Sequence, residues 1–326
     1  MEFTNFTIGE NDANRRLDRV IRKMLPAIPL SKIYSLIRHG SIRLNGKKTS
    51  QSTQLIQGDI LQVSSYFLKS AAPLPSSKLS TNPDKLPPPI RLHSQKAKVV
   101  ASHLPHLAII YKDADFLILD KPRNVLVHGR ESLDSAVKSE YFNSSSQSPQ
   151  RAISFAPGPL HRLDGGTSGI VVFSQSLKGA QTFSAALQSG NVLRFYKALV
   201  VGHFSGTAEF KSPVDGKPAH TKMQSVRYLP QYNLTLVEIQ IFTGRKHQIR
   251  IHCAANGFPL LGDKTSLASS KSPNVKGGYF LHFAKMQCRE KILNLPEIIS
   301  APLPSYFEKY LFAKVKLFHL LSKTFA

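Results

Sequence analysis

Apolar positions near the start of the chain recur at helical spacing. Leu17, Val20, Ile21 and Leu25 predict one amphipathic helix, stopped by Pro26 and Pro29. Ile33, Tyr34, Leu36 and Ile37 predict a second, with Ser31 as its N-cap and Gly40 as its end. The pattern then turns strand-like: Ile42-Arg43-Leu44, an Asn45-Gly46 turn, and Ile60-Leu61-Gln62-Val63 after Gly58-Asp59. Residues 71–90 hold six prolines and three serines, which neither a helix nor a central strand accepts. Beyond them the apolar runs are short: Leu107–Tyr111, Phe116–Leu119, Gly169–Phe173, Tyr196–Val201 and an alternating Val237–Ile241. Helical spacing is clearest over Leu177–Leu187 and His247–Ala255. Stretches 143–149 and 266–278 read as surface loops. These elements divide the chain into a small α+β unit over 12–66, a Pro/Ser-rich linker over 67–100, and a large α+β unit over 101–326. The large unit is expected to have a largely antiparallel mixed sheet flanked by helices and loops.

Charge changes the picture. The 326 residues carry 43 Lys+Arg against 20 Asp+Glu, a net +23, which points to a polyanionic partner. No apolar run approaches the roughly 20 residues that cross a bilayer, and the first sixteen residues lack an apolar signal core. Tyr310–Phe325 has the apolar spacing and lysines of a surface-lying helix, but a helix packed on its own domain explains the same pattern. No membrane association is expected. Cys253 and Cys288 are the only cysteines, which excludes a disulfide framework and fits two plain buried thiols in a reducing cytoplasm. In the small unit Arg16, Lys32, Arg38, Arg43, Lys47 and Lys48 cluster along the helices and the turn, as phosphate contacts require.

Two segments of the large unit carry candidate chemistry. In His161-Arg162-Leu163-Asp164-Gly165-Gly166-Thr167 an acid follows a basic pair and precedes two glycines that allow a sharp turn. Asp164 is thereby presented at a loop tip. Thr243-Gly244-Arg245-Lys246-His247-Gln248-Ile249-Arg250 concentrates cations; on a helix Lys246 and Arg250 would share a face, and one arginine could reach a carboxylate while others hold phosphates. The His247/His252 spacing does not suit a helical zinc pair, and neither a Walker loop nor a G-x-G-x-x-G fingerprint occurs, so no metal and no cofactor are expected.

The segment RRLDRVIRKML…LSKIYSLIRHGSIRLNGKK…LIQGDILQV resembles the small RNA-binding module named for a small-subunit ribosomal protein, the S4-like fold. HRLD-x-x-TSG, Phe195–Gly202, TGRKHQIRIH, the Tyr111–Pro122 stretch and Leu281-His282 are similar, in order, to the motifs of RluA-type pseudouridine synthases. That resemblance implies isomerisation of uridine to pseudouridine in RNA, with Asp164, Tyr196 and Arg250 as catalytic residues. His161, Arg162, Thr167, Arg245, His247, Gln248 and Leu281 would bind substrate. Arg250 would keep Asp164 ionised, Tyr196 would stack on the uracil, and His161 or Arg162 would fill the vacated stack or hold phosphates. The partner implied is ribosomal RNA or a precursor large subunit, met by a monomer. Transfer RNA as substrate, and a catalytically silent RNA-binding assembly factor, are the alternatives. The chain departs from the family pattern at Gly165-Gly166 and at Phe283 after Leu281-His282.

Overall fold

The computed structural model describes residues 2–70, 108–129, 131–144, 153–265 and 272–312. Of the linker expected over 67–100, residues 67–70 are instead helical and the rest falls outside these residues, as do most of the 143–149 serine stretch and most of the Tyr310–Phe325 segment. The chain divides into two compact units, residues 1–98 with 138–157 and residues 99–137 with 158–326.

The first unit holds β1 (Phe3–Thr7), α1 (Leu17–Met24), α2 (Leu30–Arg38), β2 (Ile42–Leu44), β3 (Ile60–Ser64) and α3 (Ser65–Ser70). Its antiparallel sheet runs β1-β3-β2, so pairing reaches back to Phe3, ahead of the span the apolar pattern marks. The apolar stripes read from sequence are the core: Leu17, Val20, Ile21, Leu25, Ile33, Leu36 and Ile37 are all buried. Ser31 does not cap α2. The helix starts at Leu30 behind Pro29, whose fixed φ suits the entry, and no side chain supplies a cap. The buried Asp12 carboxylate accepts the backbone N–H groups of Ile153 and Ser154, which binds this later stretch into the first unit.

The second unit is built on one large sheet: β4 (Ile109–Lys112), β5 (Phe116–Lys121), β6 (Gly158–Pro159), β7 (Ser168–Ser174), β8 (Val192–Val201), β9 (Thr207–Phe210), β10 (Thr221–Leu229), β11 (Leu234–Ile241), β12 (Leu281–Cys288) and β13 (Ile298–Ser300). Its main order is β4-β5-β7-β12-β8-β11-β10-β9, with β6 added to β7 and β13 to β12. Among the described strands only β7 and β12 pair in parallel; the rest of the sheet is antiparallel. The mixed, largely antiparallel architecture is therefore the one expected. Only the first residues of helix α4 (Leu133–Ser144) belong to this unit, and helices α5 (Leu177–Gln188), α6 (Gln248–Ala255) and α7 (Ser305–Leu311) complete it.

Local chemistry explains the elements. β7 is buried at every position, so it reads as a continuous apolar run rather than an alternation. α5 is capped by the Ser176 hydroxyl, which accepts the Gly179 N–H, and buries Gly179, Phe183 and Ala186. Gly169 sits at φ +109 with its α-carbon so close to β12 that an added Cβ would lie 2.3 Å from the Phe283 carbonyl oxygen. Only glycine permits that approach, and the β7–β12 crossing rests on it.

Candidate active site

Asp164 sits on the turn that enters β7. Its carbonyl accepts the Thr167 N–H at 3.0 Å, with Gly165 and Gly166 between them. Gly166 is required by space: a Cβ there would meet the Tyr279 ring at 2.8 Å. The turn is held from beneath by Lys121 at the end of β5, which is fully buried. Its Nζ donates to the carbonyls of Val125 (2.7 Å), Pro122 and Gly165 (both 3.1 Å), three acceptors for the three hydrogens of an ammonium. Burial draws this lysine down to about 7, and the nearby charges of Asp164 and Asp120 act against that. The Gly165 carbonyl also accepts the Asn124 N–H at 2.7 Å.

The Asp164 carboxylate faces a cleft of about 320 Å³, a volume in the small-molecule range. Tyr196 on β8 forms part of its wall, as do Arg194, Leu281 and the 244–250 segment. Tyr196 is buried and its ring stacks on Phe283 at 4.7 Å between centroids. The departure at Phe283 therefore becomes the support behind Tyr196. Burial, then Asp164, raises the phenol to about 12 against the opposing influence of Arg194, so it is neutral at pH 7.

The 243–250 segment differs from the expected helix. α6 begins only at Gln248, so Lys246 precedes it and shares no helical face with Arg250. His247, at φ 56, turns the chain into the helix and brings its Nε2 to 3.8 Å from the Asp164 carboxylate. Arg250 does not pair with Asp164. Its guanidinium makes a two-pronged bond to Asp263 (2.7 and 3.1 Å) and lies over the Tyr279 ring at 4.4 Å. Burial alone would lower the Arg250 pKa; the bonds and charge of Asp263 outweigh it and raise the value.

Several residues expected to bind substrate are occupied by the protein. Gln248 is buried: its Oε1 accepts from the Thr243 hydroxyl and the Arg245 N–H, and its Nε2 donates to the His220 carbonyl and the Thr221 hydroxyl. Those four bonds use the whole amide, so Gln248 shapes the loop. His161 accepts the Val172 N–H at Nε2 and packs against Phe183 and Phe283. Burial, helped by Arg194, lowers it to about 4, so it is no cation for phosphate. Thr167 is buried with its hydroxyl 3.2 Å from the Tyr279 hydroxyl, and Leu281 is buried at the head of β12. Arg162 is exposed at the cleft, as is Arg245, whose Nε donates to the Pro218 carbonyl.

In the first unit Lys32, Arg38, Lys47 and Lys48 are exposed. Arg16 is instead tied to Asp18 at 2.7 and 3.2 Å, and Arg43 donates to the Gly40 carbonyl while its guanidinium covers the Phe3 ring. Both cysteines are free and buried, and burial pushes the Cys253 thiol up to about 12. Among the described residues no helix is long and apolar enough to cross a membrane.

Residues 115–255 match the family described as RNA pseudouridylate synthase, and residues 15–61 match the S4 domain. The chain is 27% identical over 323 residues to the ribosomal large subunit pseudouridine synthase C of Vibrio vulnificus, covering 93% of each protein. This chain carries an RNA pseudouridylate synthase domain and an S4 domain. The synthase is also 24% identical to the ribosomal large subunit pseudouridine synthase D of Yersinia pestis, over 84% of this chain and 80% of that protein. In fold it is similar to human RNA pseudouridylate synthase domain containing 4, at a TM-score of 0.52 and 20% identity over 67% of this chain and 96% of that one. The two matched domains make the synthase an isomerase with an RNA-binding domain ahead of the catalytic one.

Two residues of the synthase's site escaped the sequence reading, Lys121 and Arg194. A lysine closing an apolar strand and an arginine opening one look like ordinary solvated ends. Burial, which no local pattern signals, is what sets them apart.

Proposed function

We propose that the synthase converts uridine to pseudouridine in large-subunit ribosomal RNA, with Asp164 acting on the ribose. The observation that carries this reading is the Asp164 carboxylate, fixed on a glycine turn and facing a base-sized cleft walled by Tyr196 and basic residues. A protein that only binds RNA gains nothing from an acid there, because it repels phosphate.

The target uridine leaves its stack, at a cost of a few kcal/mol, to enter such a cleft. The N1–C1′ bond then breaks, the uracil turns, and C5 bonds to C1′. Asp164 serves either as nucleophile at C1′ or as base toward a sugar proton; both need it against the ribose. Tyr196 stands as a neutral phenol, suited to stacking and to hydrogen bonding rather than to deprotonating carbon 5 as a phenolate. Arg250 holds the wall in place through Asp263 and Tyr279. Arg162, Arg245 and Lys246, exposed around the cleft, suit flanking phosphates.

The choice of ribosomal RNA is supported by the relatives of the C and D types, which share nearly the whole chain, and by the added RNA-binding domain. A cytoplasmic monomer is the form this reading assigns. The test is to map pseudouridines across ribosomal and transfer RNA in cells lacking the protein and in cells carrying Asp164→Asn. The same ribosomal sites are expected to vanish in both. Sites that persist in both strains, with ribosome assembly failing only in the deletion, would make the protein a binder.

A further inference from the structure

The cations around the cleft differ in what already holds them. Arg250 is neutralised by Asp263. Lys121 is spent on three carbonyls. Arg194 is left over. It lies on β8 two residues before Tyr196, so the two side chains project from the same face of the strand into the cleft wall. Its Nε is buried without a hydrogen-bond partner among the described residues. No carboxylate contributes to its electrostatics; burial pulls its pKa down and only Tyr196 acts in the other direction.

A buried guanidinium hydrogen left unsatisfied is costly, and a native protein carries one where something else completes it. The local structure makes room for the group: at Gly244 an added Cβ would lie 3.2 Å from Arg194 Nη1. Its neighbour His161 is kept neutral, so it does not compete for an anion.

We propose that Arg194 receives the uracil ring, its guanidinium donating to a ring carbonyl oxygen and stabilising the negative charge gathered there when the N1–C1′ bond breaks. The inference rests on the isomerase reading above and adds to it the group that meets the detached base. When N1–C1′ cleaves, its electron pair stays on N1 and spreads to O2 and O4. The ribose carbon is meanwhile bonded to the Asp164 oxygen, or the ribose has lost a proton to it. When C5 bonds to C1′, the C5 proton leaves and N1 takes one up, so the charge on the ring is transient. A guanidinium fixed beforehand in a partly dry wall is worth most against such a charge, because it needs no reorganisation as the charge forms.

The experiment uses the full-length protein and transcripts of large-subunit ribosomal RNA and of transfer RNA carrying tritium at uridine C5. Tritium release by the unaltered protein, lost in Asp164→Asn, tests the isomerase reading independently of Arg194. Arg194→Gln is expected to lower the single-turnover rate at saturating RNA by about 100-fold or more, a loss in the range seen for a single oxyanion donor. RNA affinity should stay within about twofold, and added methylguanidine should restore part of the rate. Arg194→Lys should fall between the two, and it keeps the test alive if the Gln variant does not fold. Weaker RNA binding with an unchanged saturating rate would overturn the proposal in favour of a phosphate contact. An unaltered rate, or a lost rate that neither guanidine nor lysine recovers, would overturn it as well.

Discussion

Asp263 shows how a site residue acts through another. Its side chain is fully buried, and its partner Arg250 is 13% exposed. Burial opposes the Asp263 charge, but the Arg250 bonds and the Thr265 N–H prevail and hold it below the usual carboxylate value. Its ionisation therefore adds stability that is present above the unfolded value and lost as pH falls through the folded one. Asp263→Asn should cost about 3–5 kcal/mol in urea unfolding at pH 7, because Arg250 would keep a buried unpaired charge. The gap between variant and parent should begin to narrow below about pH 4, where the unfolded carboxylate protonates, and close as pH falls through the lower folded value. Lys121→Met should lower stability by on the order of 2–3 kcal/mol and slow turnover, because it frees the Asp164 turn from its buried anchor. Sequence alone placed Asp164, Tyr196 and Arg250 in one neighbourhood through their motifs. It could not say which carboxylate Arg250 takes, since Asp263 lies 13 residues further on and only the fold brings it back. Gln248 and His161 look ligand-facing in the sequence because polar side chains in a basic loop pass as available until their hydrogen bonds are counted.

At the scale of elements, the β7–β12 crossing is the joint on which the site is hung. Gly169→Ala would place a methyl group against the Phe283 backbone at a positive φ. It should abolish cooperative thermal unfolding rather than merely lower the midpoint, whereas Gly190→Ala, in open space at the end of α5 but also at positive φ, should show only a modest drop. Circular dichroism melts of both variants check this. Elements with a strong period were legible: α1, α2, α5, β7 and β11 fall close to where their apolar residues put them. β1, β10 and β12 were not. β1 mixes two phenylalanines with threonine and asparagine, β10 interrupts its apolar residues with Lys222, Gln224, Ser225 and Arg227, and β12 buries His282 in the core. Cross-strand neighbours stabilise these segments, and a single segment's pattern does not contain its neighbours.

For the molecule as a whole, the +23 charge sets the energetics of RNA binding. Replacing exposed Lys32, Arg38, Lys47 and Lys48 together with glutamine should weaken RNA binding at low salt and reduce the salt slope by about 3, at roughly 0.7–0.9 per lost phosphate contact. The rate at saturating RNA should stay unchanged, since these residues lie in the first unit and the cleft in the second. Filter binding across a salt series, beside single-turnover rates, separates the two. The sheet order has a further consequence for synthesis. β12 separates β4-β5-β7, which carries the Asp164 turn, from β8-β11-β10-β9, which carries Tyr196 and Arg194. It begins only at Leu281, long after both halves have left the ribosome. The small sheet, complete by residue 64, emerges first and is built from near neighbours, so it forms early. A nascent chain thus holds its RNA-gripping part well before the strand that closes the two halves of the cleft, and stays chemically inert until that strand has been made.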